Sequence, residues 1–391
     1  MRLLVSGGGT GGHVYPALSV IDSIRSQADG YGMDTDAVPG MQARRAEPFE
    51  ALWVGSLGGI EDKMVQAAGV EFVGLASGGV RGMGPLTAIR NAAQIVGSSA
   101  AAGKIVRRFR PDVVLVTGGY ACVPVTLAAR ARRVPVLVYL PDIVPGLAVR
   151  MLSRLADLVA VTSEESIPHL TRRKVIVTGY PVRPGIFGAD RGQARRAFSL
   201  DPELPALLVF GGSRGARSIN QAVVAGLPDL LSVCQVIHVS GELDAPWVRE
   251  ATGALPQDLG LRYQHFAFLA DMPSALAAAD LVVARAGAAT MGEFPAAGLP
   301  AILVPYPYSG QHQEHNARYM ERHGAARILA DGELKEKLVP TVRDLLADRR
   351  TLGEMGSAAR AMAKPDAAAT IAQQARLLAQ RAARKGVGAH R

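Results

Sequence analysis

The sequence predicts an α/β protein of two doubly wound, Rossmann-like domains, and three observations carry that expectation. An apolar strand runs into a glycine-rich turn and a helix at residues 2–16, and the same device returns where Ala206 to Phe210 leads into Gly211-Gly212-Ser213-Arg214-Gly215-Ala216-Arg217. Elsewhere apolar runs of strand length alternate with helical periodicity, the pattern of a parallel sheet with its working loops along one edge. Hydrophobic residues make up 49% of the chain but aromatics only 5%, which suits strands covered on both faces by helices, and 391 residues leave room for two full cores.

Taken in order, the first strand ends in five glycines, Thr10 and His13, and a helix is expected over residues 14–28. Residues 29–50 are polar and rich in Gly and Pro, as a long surface loop would be. Short strands at 51–54 and 70–75 flank a helix at 59–68. A glycine segment, 77–85, expected to be mobile, leads to a helix over 86–109 in which Leu86, Ile89, Ala93 and Val96 recur at helical spacing, with Gly97 and Gly103 as candidate breaks. A buried strand at 111–117 opens into Gly118-Gly119-Tyr120-Ala121, and another at 134–139 ends in Leu140-Pro141-Asp142-Ile143 before a helix over 146–155. Turn formers crowd residues 179–190, which sets a domain junction and divides the chain into 1–180, 181–364 and 365–391. In the second half, strands are expected at 206–210, 235–239, 261–265, 281–283 and 301–304. An Ala-rich helix to about Ala383 and a disordered basic tail from Arg384 close the chain.

Charge and cysteine usage narrow the function classes. The formal charge is +9, and between Glu71 and Asp142 the only acid is Asp112, against nine Lys and Arg. Such a stretch fits an anionic partner, nucleic acid or a membrane surface, or simply a solvated basic face. Cys122 and Cys234 are too few for a disulfide framework and match no metal motif, so a reducing compartment is expected. Met1 leads straight into the first strand and no run of 18 apolar residues occurs, so neither a signal peptide nor a membrane span is expected.

The chemistry-bearing residues lie in the turns. Glycines after a buried strand, followed by a helix N-terminus, form an anion or diphosphate cradle or else a tight turn with no ligand. No Lys-Ser/Thr pair makes the first turn a Walker A loop, and no acidic residue ends the second strand as a dinucleotide fingerprint requires. His13, set among glycines, can reach a ligand as a general base. In the second half, Ala286-Gly287-Ala288-Ala289-Thr290-Met291-Gly292-Glu293 offers N–H donors and then a carboxylate. Glu293 either accepts from the two hydroxyls of a ribose or faces the helix dipole, worth ~0.3 to 1 kcal/mol. His312 and His315 have no third ligand nearby, so Gln311 to Asn316 fits a sugar-binding helix start better than zinc.

These motifs resemble the peptidoglycan N-acetylglucosaminyltransferase (MurG) family. Gly8-Gly9-Thr10-Gly11-Gly12-His13, Gly118-Gly119-Tyr120, Pro181-Val182-Arg183, Gly211-Gly212-Ser213, residues 266–272, 286–293 and 313–316 come in the family's order and approximate spacing over nearly the whole chain. The resemblance implies a GT-B fold, two Rossmann-like domains facing across a cleft, with UDP-N-acetylglucosamine (UDP-GlcNAc) bound mainly by the second. It implies transfer to the muramyl 4-hydroxyl of lipid I to give lipid II, with inversion, in the synthesis of peptidoglycan that underlies cell shape and division. By position, Ser213 and Arg183 would meet the diphosphate, Phe268 and Leu269 the uracil, and Glu293 the ribose. Thr290 joins the donor set, and His312 and Gln313 would bind the sugar hydroxyls. Thr10, Gly11, Gly12 and Tyr120 would face the acceptor, and the 86–109 helix would dock peripherally on the anionic cytoplasmic face of the cell membrane. Nucleic acid is not an implied partner. One departure stands out: where the family has His-Glu-Gln-Asn, this chain has Tyr139-Leu140-Pro141-Asp142.

The mechanism implied is a single displacement, with His13 or Asp142 as base. Helix N-termini and Arg183 would stabilise the departing diphosphate, so no cofactor is required and a divalent cation at most stimulates. Three rivals share parts of this pattern. A glycolipid synthase would use the same donor half with another lipid acceptor. An epimerase or hydrolase needs more carboxylates in the first domain's loops than Asp142. A redox or non-catalytic nucleotide-binding protein would have no use for His13 and Glu293.

Overall fold

The computed structural model describes residues 1–30, 48–59, 61–75, 85–119, 121–171, 174–212, 215–253, 255–308 and 312–388. The chain divides into two compact units, Met1–Pro181 joined by Asp366–Arg391, and Val182–Pro365. The first holds seven strands, β1 (Arg2–Gly7), β2 (Glu50–Ser56), β3 (Glu71–Leu75), β4 (Val113–Gly118), β5 (Val136–Leu140), β6 (Leu158–Val161) and β7 (Val175–Val177), in the order β3-β2-β1-β4-β5-β6-β7. The second holds six, β8 (Ala206–Phe210), β9 (Gln235–Val239), β10 (Tyr263–Phe266), β11 (Leu281–Ala284), β12 (Ala301–Leu303) and β13 (Ala326–Ile328), in the order β10-β9-β8-β11-β12-β13. Every pairing is parallel. Central strands are apolar on both faces because helices cover both: Leu3, Leu4, Val5 and Val113 to Val116 are fully buried.

Several boundaries differ from expectation. Strands β6, β7 and β13, of 4, 3 and 3 residues, are too short to show a period. The helix Pro85–Phe109 runs unbroken through Gly97 and Gly103, since an interior glycine costs only about 1 kcal/mol against alanine. The first helix, Gly11–Gly30, starts before residue 14 and contains Pro16. A proline there cannot donate to the carbonyl four residues back, and the Tyr180 hydroxyl supplies that missing bond to the Gly12 oxygen at 3.2 Å. The last helix, Ala367–Gly388, continues into the basic tail that was expected to be disordered, because Ala, Arg and Lys are all good helix formers. It packs on the first helix and β4, its Ala367, Ile371, Ala372 and Ala375 are each at most 1% exposed, and Arg376 donates to the Ile24 carbonyl and the Gln27 side chain. The expected surface loop and glycine segment fall largely at 31–47 and 76–84, outside the described residues.

Candidate functional site

In each unit the strand order reverses beside the first strand, between β1 and β4 and between β8 and β11. Open parallel sheets bind ligands at the carboxyl ends of strands at such a point. Of the residues singled out from the sequence, Thr10 to His13 follow β1 and Thr290 and Glu293 follow β11, at these two points, while Asp142 follows β5, Phe268 and Leu269 follow β10, and His312 and Gln313 follow β12.

In the first unit, His13 lies half-buried in the first turn of the helix Gly11–Gly30, with Thr10 exposed before it and Gly11 and Gly12 half-buried. Its Nδ1 is 3.2 Å from the Gly8 carbonyl oxygen and 3.4 Å from the Thr10 hydroxyl. A carbonyl only accepts, so Nδ1 carries the proton and Nε2 keeps the lone pair a base needs. Nε2 faces Gly118, where a Cβ would stand 3.1 Å away, and Gly118 has a φ of 121° that a side chain would in any case resist. Behind the helix start, the buried Thr117 hydroxyl fills the space a Gly7 side chain would take and donates to the His13 carbonyl at 2.7 Å.

The same turn corrects one expectation. It is not a diphosphate cradle along its length, because its amides are spent internally: Gly8 N–H on the Gly118 carbonyl (3.1 Å), Gly9 N–H on the Glu61 carboxylate (3.3 Å) and His13 N–H on the Thr10 carbonyl (3.1 Å). Glu61 is fully buried. An anion would meet a carboxylate behind the glycines, which leaves the amides of the helix start as the donors.

Asp142 lies just beyond β5, half-buried. The helix that follows, Leu147–Ser153, has its N-cap at Gly146, which makes no side-chain cap hydrogen bond. Tyr139 and Leu140 are each 1% exposed. The Tyr139 hydroxyl pairs with the Thr162 hydroxyl at 2.9 Å and donates to the Gly179 carbonyl at 3.3 Å, and burial pushes its pKa well above the ordinary phenol value. Two of the departing residues thus belong to the core. Tyr120 lies outside the described residues.

In the second unit the turn after β8 closes with the Gly215 N–H on the Gly212 carbonyl at 3.0 Å and leads into the helix Arg217–Ala225; Ser213 lies outside the described residues. Past β11, Thr290 opens the helix Thr290–Ala297 and donates to the Gly287 carbonyl at 2.7 Å. Glu293, in that helix's first turn and 3% exposed, receives both arms of Arg183, Nε at 2.8 Å and Nη2 at 2.9 Å. The sequence treats these as two separate ligands; the structure joins them as a bidentate pair. Each carboxylate oxygen retains a further lone pair for a hydroxyl. Beyond β10, Phe268 is 67% exposed and Leu269 half-buried. His312 opens the helix His312–Arg322, and Gln313 accepts the Tyr306 N–H at 2.9 Å, which leaves its amide hydrogens for another partner. Among the described residues no three His, Cys, Asp or Glu converge to hold a metal ion. A groove of about 1250 Å³ opens at the opposite edge of this sheet, where Arg191 and Arg195 already pair with Asp280, so it is no part of the site.

Sequence reasoning missed the supports. Glu61, Thr117 and Tyr180 hold the first turn. Asn220, His238 and Ser240 hold the second: His238 Nε2 meets the Asn220 carbonyl oxygen at 3.0 Å, and Asn220 donates to the Ser240 carbonyl and to Asp244, both at 2.8 Å. Burial, with His265 adding, lowers the His238 pKa to about 3. The one local signal for Glu61 was the glycines just before it, Gly55, Gly58 and Gly59.

Two parallel-sheet units with turns of this kind have the architecture of the GT-B fold, and comparison with known proteins assigns the chain to the glycosyltransferases that use it. Family models described as "Glycosyltransferase family 28 C-terminal domain" and "N-terminal domain" match residues 206–371 and 41–161. A transferase from Roseiflexus sp. (strain RS-1), named UDP-N-acetylglucosamine–N-acetylmuramyl-(pentapeptide) pyrophosphoryl-undecaprenol N-acetylglucosamine transferase, is 43% identical over 95% of this chain and 94% of its own. The crystal structure of Acinetobacter baumannii MurG superposes with a TM-score of 0.71 at 25% identity, covering 96% of this chain and 99% of that one. The chain therefore belongs to the MurG family of N-acetylglucosamine transferases. A UDP-GlcNAc 2-epimerase from Neisseria meningitidis has a TM-score of 0.66 at 12% identity, covering 96% of this chain and 99% of its own. That likeness is one of fold alone, and fold alone does not choose between transfer and epimerisation.

Proposed function

We propose that this enzyme moves N-acetylglucosamine from UDP-GlcNAc to the muramyl 4-hydroxyl of lipid I, a polyprenyl-diphosphate-linked muramyl peptide, to give lipid II at the cytoplasmic face of the cell membrane. The observation that supports it best is the 3.2 Å contact of His13 Nδ1 with the Gly8 carbonyl oxygen, an acceptor that favours the tautomer with Nε2 as the base, at the switch point of the first sheet. In the reaction, the acceptor hydroxyl gives its proton to Nε2 and its oxygen bonds to the anomeric carbon. The carbon–oxygen bond to the diphosphate breaks, and UDP leaves with the electron pair and inversion of the centre. Glu293 takes the ribose hydroxyls on the lone pairs Arg183 leaves, while Arg183 fixes that carboxylate and brings positive charge to the donor side. Phe268 and Leu269 flank the uracil, Ser213 and Thr290 serve the diphosphate, and His312 and Gln313 bind the sugar. Thr10, Gly11, Gly12, Tyr120 and Asp142 face the acceptor. No cofactor is required, and a divalent cation at most stimulates.

Membrane contact is peripheral: no helix among the described residues is long and apolar enough to span a bilayer, and the bases between Glu71 and Asp142 would meet anionic headgroups at about 1 kcal/mol each. Co-sedimentation should rise with anionic lipid and fall with salt; equal binding to neutral vesicles rejects this contact. The test of the activity is UDP release from UDP-GlcNAc with and without lipid I. Release that needs lipid I and yields the disaccharide lipid is expected. Release with a diacylglycerol acceptor instead, or none with lipid I, overturns the proposal.

A further inference from the structure

The reaction as proposed leaves a buried carboxyl group of the first unit without a role. Glu61 is 0% exposed, and it lies directly beneath the turn that carries His13. One carboxylate oxygen accepts the Ser56 N–H at 2.9 Å, the other the Gly9 N–H at 3.3 Å. Space is cleared for it: a Cβ on Gly8 or on Gly59 would overlap the carboxylate, and one on Gly55 would stand 3.0 Å from its Cγ. Gly8 has no left-handed φ to explain its glycine, so the room it leaves for Glu61 is the reason for it.

We propose that Glu61 is the positioning residue of the base. The chain of contacts is short. Glu61 holds the Gly9 amide, which fixes the Gly8–Gly9 peptide, and the Gly8 carbonyl then holds Nδ1–H of His13 and keeps Nε2 aimed at the acceptor. Because burying a carboxylate is costly unless its oxygens are bonded, a group kept here with two main-chain donors locks both of them in return. A glutamine has one acceptor oxygen. Its carbonyl would keep the shorter bond to Ser56, its NH2 would confront the Gly9 N–H, and the turn would lose its anchor while the side chain kept its shape.

This inference rests on His13 being the base, so the experiment separates the two. Glu61→Gln, His13→Ala and the double variant are assayed with UDP-GlcNAc and lipid I, with melting temperature as the check on folding. Glu61→Gln should lower kcat about tenfold or more, leave KM for UDP-GlcNAc within about twofold, and add almost nothing to His13→Ala, as expected of residues that act as one unit. Full turnover by folded Glu61→Gln, or a further tenfold loss when it is combined with His13→Ala, overturns the positioning role alone. Wild-type turnover by His13→Ala instead overturns the assignment of the base. Should Glu61→Gln not fold, Gly8→Ala, which keeps the carboxylate and crowds it, takes its place in the same cycle and is read by the same outcomes.

Discussion

The two glycine turns follow equivalent strands and lead into equivalent helices, yet they are braced by opposite chemistry. Beneath the turn after β1 lies Glu61, an acid bonded to main-chain amides on both sides. Beneath the turn after β8 lies a network built on a neutral histidine: the Ser240 carbonyl fills the place of a Gly215 side chain, Asn220 holds that carbonyl, and His238 holds Asn220. The nearest acid there, Asp244, is taken up by Asn220, Trp247 and Arg217. The same strand, turn and helix can therefore serve opposite ligands. A carboxylate below a turn repels a diphosphate, whereas a turn whose acid is already paired accepts an anion. The two site carboxylates differ in the same way. Glu61 is held by backbone and is fixed; Glu293 is held by a side chain, Arg183, whose place ribose hydroxyls can share.

The largest effect expected is on the first turn. His13→Ala should cut kcat about 100- to 10,000-fold, the usual worth of a positioned base, while UDP binding measured by calorimetry stays unchanged. A parallel loss of UDP affinity would end the division of labour between the turns. Next comes Glu293→Ala, which would remove the two charge-assisted hydrogen bonds we propose to ribose and should weaken UDP binding about tenfold or more. Unchanged UDP affinity would return Glu293 to a structural ion pair with Arg183. A smaller effect is expected at Asp142: Asp142→Asn should lower turnover with lipid I about tenfold and leave both UDP affinity and melting temperature alone. A lowered melting point with full activity would make it a structural residue.

What the sequence made legible was local. Apolar runs buried on both faces gave the central strands, β8 and β9 to the residue, and glycines after strands marked both switch points. The short strands β6, β7 and β13, of 3 or 4 residues, escaped, as did the continuity of the helix Pro85–Phe109, because neither rests on a pattern longer than its own turn. The site's partners escaped for a different reason. Arg183 meets Glu293 across 110 positions, Tyr180 repairs the bond lost at Pro16 across 168, and Glu61 reaches Gly9 across 52. Each such pair is chosen by the folded geometry, and nothing in the neighbouring residues announces it. The sequence offers Arg183 and Glu293 as independent candidates, and the structure pairs them.

The smallest effect tests the neutral brace. His238 has a folded pKa of about 3 because burial opposes its charge, His265 repels it, and Asp244 only partly compensates. In the unfolded chain it titrates near its ordinary value of about 6.5. Between those values the unfolded state binds a proton that the folded state refuses, so the contribution of His238 to stability is complete above pH 6.5 and is lost as pH falls toward 3, at up to about 1.4 kcal/mol per pH unit. The groups facing it are His265, the Tyr263 hydroxyl on Nδ1 at 2.9 Å, and Asp244 through Asn220, and His265 is itself lowered by burial and by Arg249. Carboxylates elsewhere also titrate in this range, so the useful quantity is a difference. His238→Gln keeps a hydrogen-bonding side chain but cannot take up a proton. It should melt below the wild type at pH 7.5, and the gap should narrow steadily as pH falls from 6.5 to 4.5. A gap that stays constant over that range would mean that His238 is not held neutral, and that the second turn is braced by charge as the first one is.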